Sequence, residues 1–446
     1  MTKSHSKIKH LLGTLYGSRQ ETNVDEVCVS LLNAIGLDGA GSEREVVDTT
    51  LWSESDIALI TYGDSILCED EKPLSVLHGF CLKHFYDCVT WVHILPFFPW
   101  TSDDGFSVLD YSTVNQALGD WDDIRAIGSD FKLMADLVLN HCSSRSVWFE
   151  NFKRDVKPGA GFFFTATEAF DVSQVVRPRT SDLLQAVDTT SGAAKVWCTF
   201  SHDQIDFDFS NPEVLLEFTR IIRIYLDQGV RVFRLDAVAF TWKRSGTTCI
   251  NLPEAHDLVR LLRALIELVQ PDAIIITETN VPYIENLAYF GQRDEAHCIY
   301  NFALPPLLIH TLLEGDSSRM TRWLMSMPPA VLGTTYFNFL ASHDGIGLRP
   351  VEGLLSTAEL ESMRDKLQAN GALLSWRELP DGDKSIYEVN VSLVDALRCQ
   401  EGGPTETLDR MVLAHAILLG LEGIPAIYLH SFLATPNDEQ RVLHTG

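Results

Sequence analysis

The sequence predicts an α/β protein built on a closed (β/α)8 TIM barrel, and three observations carry that prediction. From residue 57 onward, short apolar runs alternate with amphipathic segments, the pattern of a parallel sheet with crossover helices. Eight such runs can be counted, enough to close a cylinder rather than extend an open sheet. The chain has 446 residues against the roughly 250 of a simple barrel, so sizeable insertions are expected.

Residues 1–56 read as a helical extension, because Ile8, Leu11, Leu12 and Leu15, then Val24, Val27, Leu31, Leu32 and Ile35, recur at helical spacing. The first part of the barrel, 57–141, holds strands at 58–62, 89–95 and 133–138. Residues 142–210, rich in Phe, Ser, Thr and Asp, are too long for a barrel loop and form an inserted small domain. The second part, 211–344, begins at Asn211-Pro212-Glu213, where Asn caps the amides of a helix over 214–226 and Pro suits its first turn. Strands follow at 230–235, 273–277, 299–302 and 336–340. Between the first two of these, a helix over 253–269 carries Leu258, Leu261, Leu262, Leu265 and Leu268 on one face, which is core. A second insertion, 345–407, precedes the end of the barrel at 408–446, with a helix near 408–421 and a last strand at 426–429. Both insertions follow C-terminal strand ends, the face on which barrel enzymes build their sites.

With 35 Lys plus Arg against 61 Asp plus Glu, the formal charge is −26, a field that repels nucleic acid and anionic lipid. An anionic substrate must then be caught by a local basic pocket. Nine cysteines without a C-x-x-C pair point to a reducing cytoplasm. No run of about 18 apolar residues marks a membrane span, and residues 1–16 lack the apolar core of a signal peptide.

The chemistry sits at predicted strand ends. In Arg234-Leu235-Asp236 the two-residue alternation puts an arginine and a carboxylate on the same side of the strand, so the cation can ionise and orient a nucleophile. Taken alone, the tripeptide reads first as a structural ion pair, and Glu278, closing the run Ile274–Thr277, first as a loop cap. Ser342-His343-Asp344 and Asp136-Leu137-Val138-Leu139-Asn140-His141 occupy the corresponding ends of two further strands.

Together D-L-V-L-N-H, R-L-D-A-V, T-E and S-H-D resemble the four sequence regions of the α-amylase superfamily, glycoside hydrolase family thirteen, over about 58–437. The resemblance implies that Asp236 attacks the anomeric carbon, that Glu278 is the general acid/base, and that Asp344 stabilises the transition state. His141 and His343 would donate to sugar hydroxyls, and Arg234 would hold the nucleophile. The segments around His93–Phe98, Asp103-Asp104-Gly105-Phe106, Tyr300–Leu308 and His343–Gly347 resemble the sucrose phosphorylase-like subgroup more narrowly. That likeness gives Asp103 to glucosyl hydroxyls, Phe106 to the sugar ring and Gln204 to the donor pocket.

Phosphorolysis needs a cation on the acceptor side. Arg177-Pro178-Arg179 is the candidate, with Arg179 matching the subgroup's phosphate-contacting arginine and Tyr387 placed where a phosphate-loop tyrosine is expected. The run from His343 to Leu355 resembles the glucosylglycerate phosphorylases, which would set Arg349 against an acidic acceptor. The implied function is a retaining α-glucoside phosphorylase moving glucose between phosphate and a small acceptor, glycerate or a fructosyl compound, through a glucosyl-Asp intermediate. Neither metal nor cofactor is implied, the partners are small molecules, and a homodimer is admitted. The alternatives are an α-glucoside hydrolase or transglucosidase, or a non-catalytic sugar-binding fragment. The last is motivated by the end of the resemblance at Asn437-Asp438, from which a truncated barrel without the family's C-terminal β domain is expected.

Overall fold

The computed structural model describes residues 3–19, 22–37, 50–378, 384–400, 402–438 and 440. The parts of the predicted terminal segments at 38–49 and 441–446 lie outside them.

Eight parallel strands close a barrel: β1 (Ala58–Thr61), β2 (Trp91–Ile94), β3 (Lys132–Val138), β4 (Val230–Asp236), β5 (Ile274–Thr277), β6 (Cys298–Tyr300), β7 (Thr335–Phe339) and β8 (Ile424–Tyr428). Each strand pairs with its sequence neighbour except where the seam closes, with Ala58 opposite Ala426. The strands are apolar along both faces because the barrel interior covers one and the helices cover the other. In β5 all four residues of Ile-Ile-Ile-Thr are buried. All eight predicted strands are present; several end a residue or two short of the apolar run, as at β6, which ends at Tyr300.

Helix Pro212–Asp227 starts as the sequence implies, with Asn211 accepting from the Glu213 amide and Pro212 in its first turn. Helix Pro253–Val269 buries Leu258, Leu261, Leu262, Leu265 and Leu268. The N-terminal helices Lys3–Tyr16 and Val24–Ile35 pack on Pro253–Val269 and Pro212–Asp227 respectively, burying Ile8, Leu11, Leu12 and Leu15 from the first and Leu31, Leu32 and Ile35 from the second.

The segment after β3 forms a short antiparallel pair, His141–Ser143 with Gln204–Asp206, and an outer hairpin, Leu184–Thr189 with Gly192–Trp197. The segment after β7 forms a three-stranded sheet in which Lys384–Asn390 lies between Ile346–Gly347 and Leu373–Glu378. Helix Thr357–Ala369 precedes the last of these strands and opens on a capping box from Ser356 and Glu359. Among the described residues no helix is long and apolar enough to cross a membrane. All nine cysteines are free thiols.

Candidate active site

A cavity of about 140 Å³ opens at the C-terminal ends of the strands, and Asp236, Glu278 and Asp344 all line it. Three strand ends bring them there. Asp236 is the last residue of β4, Glu278 follows β5, and Asp344 stands a few residues beyond β7. The Glu278 amide donates to the Leu235 carbonyl (3.1 Å), while its Oε2 accepts from the Ala237 amide (3.0 Å), so the carboxyl is anchored beside the strand that bears Asp236. Ala237 takes a left-handed φ of 50°, which turns the chain so that its amide can reach Glu278.

Arg234 is the hub of the charge pattern. Its Nη1 lies 2.7 Å from Asp236 Oδ1 and 2.5 Å from Asp136 Oδ1, and its Nη2 lies 3.9 Å from Asp344 Oδ2. Its guanidinium also sits over the rings of Phe106 and Tyr300, 5.5 and 5.4 Å from their centroids. Arg234, expected to hold Asp236, stands beside it and also pairs with Asp136, so the two carboxylates share the cation. Burial would raise the Asp136 carboxyl, but Arg234 and His93, whose Nε2 is 2.8 Å from Asp136 Oδ2, outweigh it and hold it at about 2.

That division governs the other two acids. Burial raises the proton affinity of Asp236 and of Glu278, with Arg234 opposing in both cases and the neighbouring carboxylates adding to the rise. Burial is the larger cause in both, ahead of the neighbouring carboxylates. Asp236 has a charge-assisted hydrogen bond from Arg234, whereas Glu278 accepts one neutral amide, so a proton shared by the two rests on Glu278.

His141, His343, Asp103 and Phe106 also line the cavity. Burial lowers both histidines, His343 to about 3, so they stand neutral. The Phe106 ring stacks on His343 (centroids 4.9 Å apart, planes 5° from parallel). Gln204 stands behind the lining residues, with its Nε2 donating to Asp103 Oδ2 (2.7 Å) and lying 3.1 Å from His141 Nε2. Asp103 and Asp104 both have left-handed φ, 55° and 44°, a cost that the hydrogen bonds of the surrounding loop must hold.

On the opposite wall the two arginines of Arg177-Pro178-Arg179 separate. Arg177 is consumed by the loop, with its Nη2 donating to Ser181 Oγ and to the carbonyls of Cys198 and Thr199. Arg179 faces the cavity between the rings of Phe200 and Tyr387, 6.0 and 5.9 Å from their centroids. Among the described residues it forms no ion pair. Tyr387 lines the cavity, whereas Arg349 does not, and the charged or ionisable neighbours of Arg349 are Arg377, Tyr387, Glu285 and Glu352.

Several residues of the site had no role in the sequence reading. Asp136 stood in a quoted motif, yet only the barrel shows that it faces Arg234. Asp203 accepts from the hydroxyls of Thr101, Ser102 and Ser107 and, on its other oxygen, Ser144, tying the Asp103 loop to the strand of Gln204. Behind His141, Lys243 Nζ lies 2.7 Å from Asp206 Oδ2 and donates to Asn140 Oδ1 (3.0 Å), with both ionic side chains fully buried. Asn280 and Glu388 line the cavity as well, and no spacing in the sequence marks either.

A model of the α-amylase catalytic domain matches residues 87–345. Glucosylglycerate phosphorylase of Escherichia coli is 44% identical over 397 residues, covering 89% of this chain and 71% of that protein. The enzyme of the same description from Allomeiothermus silvanus is 42% identical over 447 residues, 99% of this chain and 78% of the other. The crystal structure of sucrose 6F-phosphate phosphorylase from Thermoanaerobacter thermosaccharolyticum superposes with a TM-score of 0.77 at 27% identity, covering 89% of this chain and 81% of that one.

Proposed function

The chain belongs to the α-amylase family, in its sucrose phosphorylase-like subgroup, and from that premise we propose that it is a retaining α-glucoside phosphorylase acting on glucosylglycerate. Asp236 attacks the anomeric carbon while Glu278 passes its proton to the departing glycerate oxygen. The product of this step is a glucosyl ester of Asp236, with configuration inverted at the anomeric carbon. Phosphate then attacks the ester and gives its proton to Glu278, a second inversion that yields α-glucose 1-phosphate, restores the acid and returns a carboxylate to Asp236.

Each role has a physical support. Arg234 aligns Asp236 and favours its ionised form, burial holds a proton on Glu278, and Asp344 offers negative charge to the oxocarbenium-like transition state. His141, neutral His343 and Asp103 are read as contacts to glucosyl hydroxyls, Phe106 as a wall for the ring, and Gln204 as the brace of Asp103 and His141. Arg349 is read as part of the acceptor side through Tyr387.

The observation that carries the reading is Arg179, a guanidinium that among the described residues forms no ion pair, in a cavity where Arg234, the other arginine of the lining, is already paired with carboxylates. Such a cation fits an oxyanion acceptor, phosphate or a carboxylate, better than water. The free thiols support a cytoplasmic location. The homodimer is checked by light scattering.

The test is release of inorganic phosphate from α-glucose 1-phosphate in the presence of D-glycerate, glycerol, fructose or water alone. The proposal expects release that depends on glycerate and gives a product phosphate can cleave. Glucose release at a rate unaffected by phosphate would refute it in favour of hydrolysis.

A further inference from the structure

Resting on the phosphorylase reading, we infer that Glu388 is a proton-gated contact for the anionic acceptor. Protonated, it donates a hydrogen bond to an oxyanion held at Arg179; ionised, it repels that oxyanion.

The position of Glu388 is set by packing. It lies on strand Lys384–Asn390, opposite Gly347 on one side and Ser375 on the other. A Cβ placed on Gly345 would meet the Glu388 Cβ at 3.0 Å, so glycine at 345 is what lets this strand close on the loop bearing Asp344. The carboxyl thus borders the same cavity as Arg179, Glu278 and Asp344.

Its charge environment is one-sided. Asp344, Glu278 and Asp103 face it from three other loops, and Arg179 is the one cation acting strongly on it. Among the described residues Glu388 forms no ion pair. Arg234 is already committed to Asp136 and Asp236, and Arg349 does not line the cavity. Burial first, then these carboxylates, push Glu388 up to about 8 despite Arg179. A second anion entering beside Arg179 adds to that repulsion, so anion and proton bind together. Carboxylic acid is also the form with an O–H to donate, where the carboxylate can only accept.

The test follows phosphate release from α-glucose 1-phosphate between pH 7 and 9.5 with D-glycerate as acceptor and glycerol as its uncharged counterpart. It uses the wild type, Glu388→Gln and Glu388→Ala. From pH 7 to pH 9 the wild-type KM for glycerate is expected to rise about tenfold, as the protonated fraction of a group near 8 falls. The KM for glycerol should move far less. Glu388→Gln, a permanent uncharged donor, should keep the low KM across the range. Glu388→Ala should show a raised KM at pH 7 with no further rise. A flat wild-type profile, or parallel profiles for wild type and Glu388→Gln, would overturn the inference.

A second measurement is independent of turnover. Calorimetric titration of D-glycerate at pH 8.5, in two buffers of different ionisation enthalpy, should show proton uptake by the wild type and none by Glu388→Gln. Uptake by neither or by both rejects the gate. Absent phosphate release with every acceptor, by a protein that still melts cooperatively, rejects instead the phosphorylase reading.

Discussion

Replacing Lys243 by Met tests whether the donor side of the cavity is held from behind. The Lys243 and Asp206 side chains are 1% and 0% exposed, and Lys243 Nζ is 2.7 Å from Asp206 Oδ2. Methionine keeps the unbranched apolar stem and deletes the charge, so little packing is lost. Removing one partner of a buried pair costs about 3–5 kcal/mol, chiefly because the other charge is left buried. Asp206 retains three neutral donors, the Thr199 amide (3.0 Å), Thr199 Oγ1 (2.6 Å) and Asn140 Nδ2 (2.9 Å). These place the expected loss at the low end of that range, about 3 kcal/mol. Urea unfolding should show it as a lower midpoint with an unchanged slope. The double variant Lys243→Met with Asp206→Asn removes the stranded charge as well, so it should lose less than the two single variants together. Because Asp206 pairs in register with His141, the single change should also raise KM for the glucosyl donor. A loss below about 1 kcal/mol, or strict additivity in the cycle, would refute the argument.

Asp236→Asn should leave the fold intact and lower the rate of glucosyl transfer by at least about a thousandfold, measured as phosphate release, since an amide neither attacks nor leaves as an ester. Arg179→Gln should raise KM for phosphate about tenfold or more while leaving any slow hydrolysis unchanged, because only the charge on the acceptor side is lost. Glu278 must be protonated to start the first step and its proton affinity is raised, so kcat/KM for glucosylglycerate should hold at neutral pH and fall as pH climbs through that raised value. Asp136 behaves in the opposite sense. Held at about 2 in the fold, it contributes about 2 kcal/mol that is fully present above the unfolded value near 4 and is lost as pH falls toward 2. Asp136→Asn should therefore flatten the acid limb of a stability–pH curve measured by denaturant unfolding.

The barrel was legible because a parallel sheet buried on both faces leaves a signature that local context cannot disguise, a bare apolar run such as Ile274–Ile276 between amphipathic helices. Arg234 and Asp236 were legible for a similar reason, since two residues along a strand share a face. What stayed hidden depended on contacts between loops distant in sequence. Nothing in the surroundings of Lys243 or Asp203 hints that one meets Asp206 and the other four hydroxyls, because both partnerships form only when the insertion folds back on the barrel. Only the family resemblance set Arg179 apart from Arg177; the physical difference, loop carbonyls claiming Arg177 and two aromatic rings flanking Arg179, depends on the folded loop. The sheet holding Glu388 left a weaker trace, and the resemblance singled out only its neighbour Tyr387 on that strand.

The pairing of Ala58 with Ala426 has a consequence for biosynthesis. The sheet cannot become a ring until the ribosome has delivered β8, which at about 5–20 residues per second means a wait on the order of tens of seconds. Throughout that interval the nascent sheet carries two raw edges, each a template for pairing with another unfinished chain. Slower initiation, cooler growth or chaperones that cap those edges should therefore raise the yield of recombinant protein more than any single stabilising substitution.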